Sequence, residues 1–372
     1  MEINRRQWLK TAALAGGFTL FNGLGFQVLT AEERKKFNPR EFENPIRLSS
    51  NENPYGPSER VRNAVKNAFN IGCRYPYAYA ENLEGILAKK YDVAPESVIV
   101  TGGSTEGLKI AGITFAANGG EIIAAKPTFL VMMQYAKMWG ANINWVPVDE
   151  NLGYDLQEIE KRITSKTKMV FLCNPNNPTS TLLPANTLQD FCASVSKRTI
   201  VFSDEAYYEY IEDPNYPSMI DLVKKGENVV VSKTFSKVYG MAGMRIGFLI
   251  AKPELAQTIR RNIVAMSNIF AIEGAKEALK DDEFYKFSLQ KNVEAKQIIY
   301  NTLDHLNLHY IKSSTNFIFF KSGKDINKLG KQMLTKGVKI GRAFPPFYDW
   351  CRISTGTLEE VEMFSKSLIT LY

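Results

Sequence analysis

The sequence predicts an α/β protein, with a large domain built on a mostly parallel sheet flanked by helices and a smaller α+β domain after it. Three observations point there. Between Glu96 and Ile250 short apolar runs alternate with longer amphipathic stretches. The runs are apolar throughout, as expected of strands buried on both faces. Beyond Ala251 the pattern changes to a long helical stretch with only a few short strands. Strand alternating with helix favours a parallel sheet covered on both sides.

Taken in order, Leu83, Ile86, Leu87 and Tyr91 recur at helical intervals ahead of the first strand. The predicted strands are Val98–Val100, Glu121–Ala125, Met169–Cys173, Thr199–Phe202, Val229–Ser232 and Ile246–Ile250, with helices over Glu106–Ala117 and Leu188–Ser196. A helical segment then runs to about Leu306, followed by strands at Asn316–Phe320 and Val338–Ile340 and a final helix. The expected organisation is an N-terminal segment 1–31, an arm 32–70 joining the small domain, a large domain 71–265 and a small domain 266–372.

Composition narrows the function. At 372 residues, 45% hydrophobic and 23% charged, the chain is an ordinary globular protein of one large or two intimate domains. The net charge of +7 comes from scattered Lys and Arg, so nucleic-acid binding is not supported. Cys73, Cys173, Cys192 and Cys351 form no C-x-x-C pair, and buried free thiols are expected. The only two histidines, His305 and His309, are expected beside a strand, and no metal site is predicted. A histidine-based nucleophilic or zinc mechanism has nothing to build on.

The N-terminus reads differently. Arg5-Arg6 precede an apolar stretch from Thr11 to Leu29 that contains four glycines and Asn22, too broken for a permanent anchor. This resembles a twin-arginine export signal, with cleavage near Leu29-Thr30-Ala31; an exported, periplasmic location and engagement of the export machinery are the expectation. A membrane tether or a cytoplasmic location is the alternative.

Chemistry-bearing residues cluster at predicted strand ends, where open α/β sheets bind ligands. One strand runs into Ser232-Lys233-Thr234-Phe235-Ser236-Lys237, and Arg245 follows eight residues after Lys237, between Gly243 and Gly247. Hydroxyls, an arginine and permissive glycines around a lysine suit a phosphate held beside a reactive amine. Thr101-Gly102-Gly103-Ser104-Thr105-Glu106 sits at a strand-to-helix junction, where backbone amides meet the positive end of a helix. Asp204, in Ser203-Asp204-Glu205-Ala206-Tyr207, ends a buried strand and needs a charged partner there. Alternation would point Glu205 the other way.

The lysine string resembles the motif of fold-type I pyridoxal 5'-phosphate aminotransferases of class I/II, and within them the histidinol-phosphate aminotransferase-like group. The other motifs of that group occur in the same order across roughly Asn44 to Leu371: Leu48 to Pro57, Arg74-Tyr75-Pro76, Lys126-Pro127-Thr128-Phe129, Asn174-Pro175-Asn176-Asn177-Pro178-Thr179, and Trp350-Cys351-Arg352-Ile353-Ser354-Thr355-Gly356. The resemblance implies that Lys237 bonds the cofactor as a Schiff base, with Lys233 the rival lysine, off the family's spacing from Arg245. Ser104, Thr105, Thr234, Ser236 and Arg245 would hold the phosphate, and Tyr75 would reach it in a partner subunit. Phe129, where the family usually has tyrosine, would stack on the pyridine ring, and Asp204 would pair with its nitrogen. Asn177 and Tyr207 would meet its phenolic oxygen. Ser180 stands where the family has glycine. Arg352 would clamp the substrate anion, with Arg342, Asn53 and Tyr55 as further substrate contacts. The implied activity is transfer of an amino group from an amino acid or amino-phosphate donor to a 2-oxo acid such as 2-oxoglutarate, in a homodimer with shared sites. A decarboxylase or C–S/β-lyase on the same fold is the alternative, because the same cofactor residues serve all of these reactions.

Overall fold

The computed structural model describes residues 44–372, so the twin-arginine segment lies outside the described residues. The main sheet has seven strands in the order β2-β8-β7-β6-β5-β3-β4. These are β2 (Val98–Thr101), β3 (Glu121–Lys126), β4 (Asn142–Pro147), β5 (Thr167–Cys173), β6 (Ile200–Asp204), β7 (Val229–Thr234) and β8 (Gly247–Ala251). Only β8 runs against the others, pairing antiparallel with both β2 and β7. The expected mostly parallel sheet is therefore present. The one strand of this sheet that the sequence did not predict is β4, an edge strand with a polar, half-exposed pattern that lacks the apolar signature of its neighbours.

Alternation along the strands divides the apolar residues between two faces. One face presents Val98, Val100, Ile123, Val170, Leu172, Val201, Val229 and Val231. Helices α1 (Glu59–Ala68), α2 (Tyr77–Tyr91), α6 (Ala185–Val195) and α7 (Ile220–Lys224) cover it. The other presents Ile99, Ile122, Ala124, Met169, Phe171, Cys173, Phe202 and Val230 to α3 (Ser104–Ala116), α4 (Val131–Met138) and α8 (Pro253–Arg260). A short helix α5 (Leu156–Lys161) lies in the β4–β5 connection. Burying a residue such as Phe171 or Phe202 completely contributes about 2–3 kcal/mol, which is why the central strands carry apolar runs on both faces.

The stretch expected to be one long helix after Ala251 is three: α8, α9 (Ile269–Ala278) and α10 (Asp282–His305). The breaks are set by caps. The Asn268 side chain accepts from the amide of Ala271, and that of Asp281 from the amide of Phe284. Helix α9 packs on α1 and places Ala271, Ile272 and Ala275 in the core under the large sheet, beyond the boundary expected at residue 265. The 24-residue α10, about 36 Å long, leads into the second core. There Ala295, Ile298, Ile299 and Leu303 pack with β9 (Phe317–Lys321), α11 (Ile326–Thr335), β11 (Trp350–Ser354) and α12 (Leu358–Ile369). Strand β1 (Ile46–Arg47) pairs with β10 (Val338–Lys339), so the start of the described chain joins this smaller body. His305 ends α10, and His309 lies beside β9, its carbonyl accepting from Lys321 N. Among the described residues no cluster of metal-ligating side chains exists and no helix is long and apolar enough to cross a membrane.

Candidate active site

The ends of β2, β3, β5, β6 and β7 and the start of β8 lie along one edge of the sheet, as their pairing requires. Three segments meet there. A Cβ added to Gly247 would lie 2.8 Å from Ser104 N and 2.8 Å from Lys233 O, so only glycine lets these backbones touch. Gly103, at φ +86°, begins α3 without a side-chain cap, which leaves the first amides of a 13-residue helix open. Added bulk at Gly103 would meet Arg245 Nη2 at 2.6 Å, so the guanidinium lies directly over that loop. Arg245 itself adopts a left-handed φ of 56°, a conformation costly for a non-glycine residue and concentrated at functional sites. The Thr234 hydroxyl donates to Ser236 Oγ at 2.9 Å, next to the same loop. Open helix amides, two hydroxyls and an arginine make a site for a phosphate dianion.

Asp204 is 2% exposed, and its Oδ1 has no hydrogen-bond partner among the described residues. Burial pushes its carboxyl up to about 7, with the Ala206 amide and then Lys237 pulling the other way. An orphaned acid oxygen at this depth fits a cationic ring N–H. Without one, a pKa raised above its unfolded value favours folding below about pH 4, and that contribution is lost as the pH rises through about 7. The cofactor-free protein is therefore expected to be less stable at pH 8 than at pH 5. Asp204→Asn should remove this dependence and stabilise the cofactor-free form at pH 8 by roughly 2–4 kcal/mol, while weakening cofactor binding. Urea unfolding at the two pH values checks this, and a variant no more stable than the parent at pH 8 would contradict it.

The two lysines separate by face. Lys237 is partly buried, donates to the Asn51 carbonyl at 2.8 Å and lies 5.2 Å from the centre of the Tyr207 ring. Burial, followed by the positive charge of Arg352, lowers its pKa to about 8, toward the neutral amine. Lys233 shares the opposite face with Val229 and Val231, where it is paired with Glu205 at 3.2 Å and Glu209 at 3.3 Å. Those carboxylates hold it protonated despite burial. Glu205 also takes the amide of Met219 and the hydroxyl of Ser218, so it points away from Asp204.

Around Lys237 the two bodies of the protein meet through side chains. The Tyr207 oxygen accepts from Asn51 Nδ2 at 2.9 Å and from Asn177 Nδ2 at 3.4 Å, which leaves its own proton free to be donated. Arg352 Nη1 donates to Asn177 Oδ1 at 2.8 Å, fixing that amide, and Nη2 donates to the Ser49 carbonyl. Arg352 Nε has no partner among the described residues. Arg342 is exposed, yet it stands 4.4 Å from the Phe344 ring centre, against 5.0 Å for Arg352. Two guanidinium groups thus share one aromatic ring, and Arg342 helps lower the Arg352 pKa, after burial, to about 10.

Other expected residues are placed differently. Asn53 is committed to the junction, donating to the Val238 carbonyl at 2.7 Å and to Ser288 Oγ at 2.9 Å. Tyr55 is buried against Phe284 and Phe287, and its hydroxyl has no hydrogen-bond partner among the described residues. Neither meets Lys237; the residue of that motif that does is Asn51, which the sequence reading missed. Asn51 Oδ1 also accepts from Ser354, a second missed residue. Three asparagine or glutamate side chains crowded into Asn51-Glu52-Asn53 offered no signal to choose among them. Phe129 packs at the margin of the α3–α4 core. Ser180 adopts φ 60°, the left-handed conformation of a glycine, and its amide closes the turn onto the Asn176 carbonyl, so the loop shape is kept. Tyr75 is 83% exposed, with its ring 6.1 Å from that of Tyr77.

Comparison with known proteins agrees with this architecture. The model of aminotransferase class I and II matches residues 43–368. The histidinol-phosphate aminotransferase of Caldicellulosiruptor saccharolyticus is 35% identical, over 88% of this chain and 92% of its own. That of Moorella thermoacetica is also 35% identical, over 87% and 84%. A putative histidinol-phosphate aminotransferase from Erwinia carotovora atroseptica superposes with a TM-score of 0.85 at 31% identity, covering 90% of this chain and 97% of that one. The Sinorhizobium meliloti histidinol-phosphate aminotransferase, solved with pyridoxal 5'-phosphate, shares the fold at a TM-score of 0.81 and 24% identity, over 97% and 100%. Fold and site together define a pyridoxal-phosphate enzyme that transfers amino groups between an amino donor and a 2-oxo acid. The chain belongs to the aminotransferase class I and II family.

Proposed function

We propose that this aminotransferase acts on an amino donor carrying an anionic group, a carboxylate or a phosphate, with 2-oxoglutarate as acceptor, and that Lys237 bonds the cofactor. The observation that carries the reading is the pairing of a buried acid with an orphaned oxygen, Asp204, and an amine biased toward neutrality, Lys237, on the same sheet edge. When bound, pyridoxal phosphate supplies the aldehyde carbon that takes up the amine and the ring that spreads negative charge developing at the donor's Cα. This chain's residues do the rest. The α3 amides at Ser104 and Thr105, the hydroxyls of Thr234 and Ser236 and the Arg245 guanidinium would take the phosphate, and Asp204 would face the ring nitrogen. Phe129 would cover the ring, and Tyr207 would donate its free proton to the phenolic oxygen, joined by Asn177. Lys237 Nζ, released by the donor amine, would take the proton from Cα and deliver it, on the same face, to the cofactor carbon that bears the nitrogen. Arg352, with Arg342 across Phe344, would hold the substrate anion, and that orientation selects the Cα–H bond for cleavage.

Similarity to histidinol-phosphate aminotransferases supports an amino-phosphate donor, and two arginines flanking one ring suit a dianion. A donor screen on purified holoenzyme, following glutamate formed from 2-oxoglutarate, tests it. Turnover confined to neutral amines would contradict the anion-binding role.

The assembly belongs to the same proposal. Phe69, Tyr75, Tyr77 and Val264 leave aromatic and aliphatic surface in solvent, the composition of a surface that a second copy covers. Tyr75 would then reach the partner's phosphate, and each site would depend on both chains. Mixing inactive Lys237→Ala subunits with Tyr75→Phe subunits should give heterodimers that keep one unaltered site in two. A fully active monomer in sedimentation would rule this out. Export is proposed through Arg5-Arg6, and their replacement by lysine should retain the protein in the cytoplasm; unchanged distribution would refute it.

A further inference from the structure

We infer that Lys233 is a positioning residue for Tyr207, acting from the opposite face of the sheet through Glu205 and Glu209. The inference rests on the role proposed above for Tyr207. Lys233 sits on β7 four residues before Lys237, and its ammonium reaches carboxylates on both sides of Tyr207, at Glu205 and Glu209. The intervening segment turns sharply, with Tyr208 N bonded to the Glu205 carbonyl and Tyr210 N to that of Tyr207. One buried cation therefore ties down both ends of a five-residue turn whose middle residue places its ring over Lys237 Nζ. Glu205 is fixed in turn by Ser218 Oγ and Met219 N, each at 2.8 Å. The Tyr208 ring packs on the ammonium at 4.1 Å, with Tyr91 at 5.9 Å. Lys233, Glu205 and Glu209 have side chains 3%, 3% and 12% exposed, so this is a desolvated cluster and not a surface pair.

Stability alone would not call for it. Buried ion pairs are commonly no more stabilising than well-packed apolar residues of the same volume, and geometric specificity is an attested use of some that are kept. Here the geometry at stake is the Tyr207 oxygen, which must stay within reach of both Asn51 and Asn177. Backbone pairing transmits the constraint: the Glu205 amide bonds the Ser232 carbonyl, which holds the end of β6 beside the residue preceding Lys233.

The test uses holoenzyme carrying Glu209→Gln, which releases one end of the turn without leaving an unpaired buried cation. Lys233→Met combined with Glu209→Gln releases both, and Lys233→Arg alone retains the charge and both carboxylates. The groups facing Tyr207 are Asn51, Asn177, Arg352, Asp204, Cys173 and Lys237, and none of these is altered. The readout is the midpoint of the visible-absorbance pH titration of the bound cofactor, together with kcat and KM. Loss of a hydrogen bond to an anionic oxygen raises the midpoint, so Glu209→Gln should move it up by about half a unit and lower kcat about threefold to tenfold, with KM changed less than about twofold. The double variant should go further, and Lys233→Arg alone should leave the midpoint close to that of the parent. In a Tyr207→Phe background the same changes should do nothing more, because the effect passes through that hydroxyl. If Tyr207→Phe shifts the titration and the Glu209 and Lys233 variants do not, the positioning inference fails. If Tyr207→Phe is itself without effect, the proposed role of Tyr207 fails instead. A variant that loses melting temperature with an unmoved titration would show a merely structural cluster and overturn the inference.

Discussion

Lys237→Ala is expected to lower kcat by about 10⁴-fold or more while the protein stays folded. The side chain serves twice, as the amine that bonds the cofactor and as the base that moves the Cα proton, and general acid–base catalysis alone contributes about 10²–10⁴-fold. Nothing nearby replaces it. Lys233 is on the other face of the sheet and held protonated by Glu205 and Glu209. The loss should be of kcat more than of KM, because Arg352 and its neighbours still hold the substrate anion. Folding should be little affected, since the amine makes one hydrogen bond, to the Asn51 carbonyl. Single-turnover measurements on the reconstituted variant check this, and residual activity within about 100-fold of the parent would show that another group moves the proton.

Arg352→Ala carries the second large effect, a loss of roughly 2–5 kcal/mol in transition-state binding for anionic donors, from about 30-fold to several thousand-fold in kcat/KM. A guanidinium offers two parallel donors to a carboxylate or phosphate, whereas an ammonium is a point charge, so Arg352→Lys should recover only part. The structure adds a consequence. Arg352 fixes the Asn177 amide, and Asn177 touches the Tyr207 oxygen. Removing it should therefore also shift the visible spectrum of the bound cofactor, not only substrate affinity. Removing Arg342 should leave the spectrum unchanged, since its guanidinium donates to the Ala343 carbonyl and not to Asn177. Equal spectral shifts in the two variants would count against this division of labour.

How much of this was legible depends on distance along the chain. The central strands were plain because residues buried on both faces form continuous apolar runs, as Val229–Val231 and Gly247–Ala251 do. The edge strand Asn142–Pro147 was hidden because one side of it meets solvent. Residues whose roles are set locally, such as Asp204 at the end of β6 and Glu205 immediately after it, could be sorted by period alone. Asn51 could not. Its contacts are to Tyr207, Lys237 and Ser354, 156 to 303 residues away, and neither spacing nor propensity records them. Asn53 had the same chemical credentials and turned out to clamp Val238 and Ser288. The breaks between α8, α9 and α10 were written in Asn268 and Asp281, but a cap is a weak signal inside a long amphipathic stretch.

The most direct test of the central claim is chemical. Borohydride reduction of the holoenzyme, followed by proteolysis and mass spectrometry, reports which nitrogen holds the cofactor. A single labelled peptide is expected, with the mass increment on Lys237 and none on the protonated, carboxylate-bound Lys233. Label on Lys233, or on no lysine of the 232–237 segment, would contradict it.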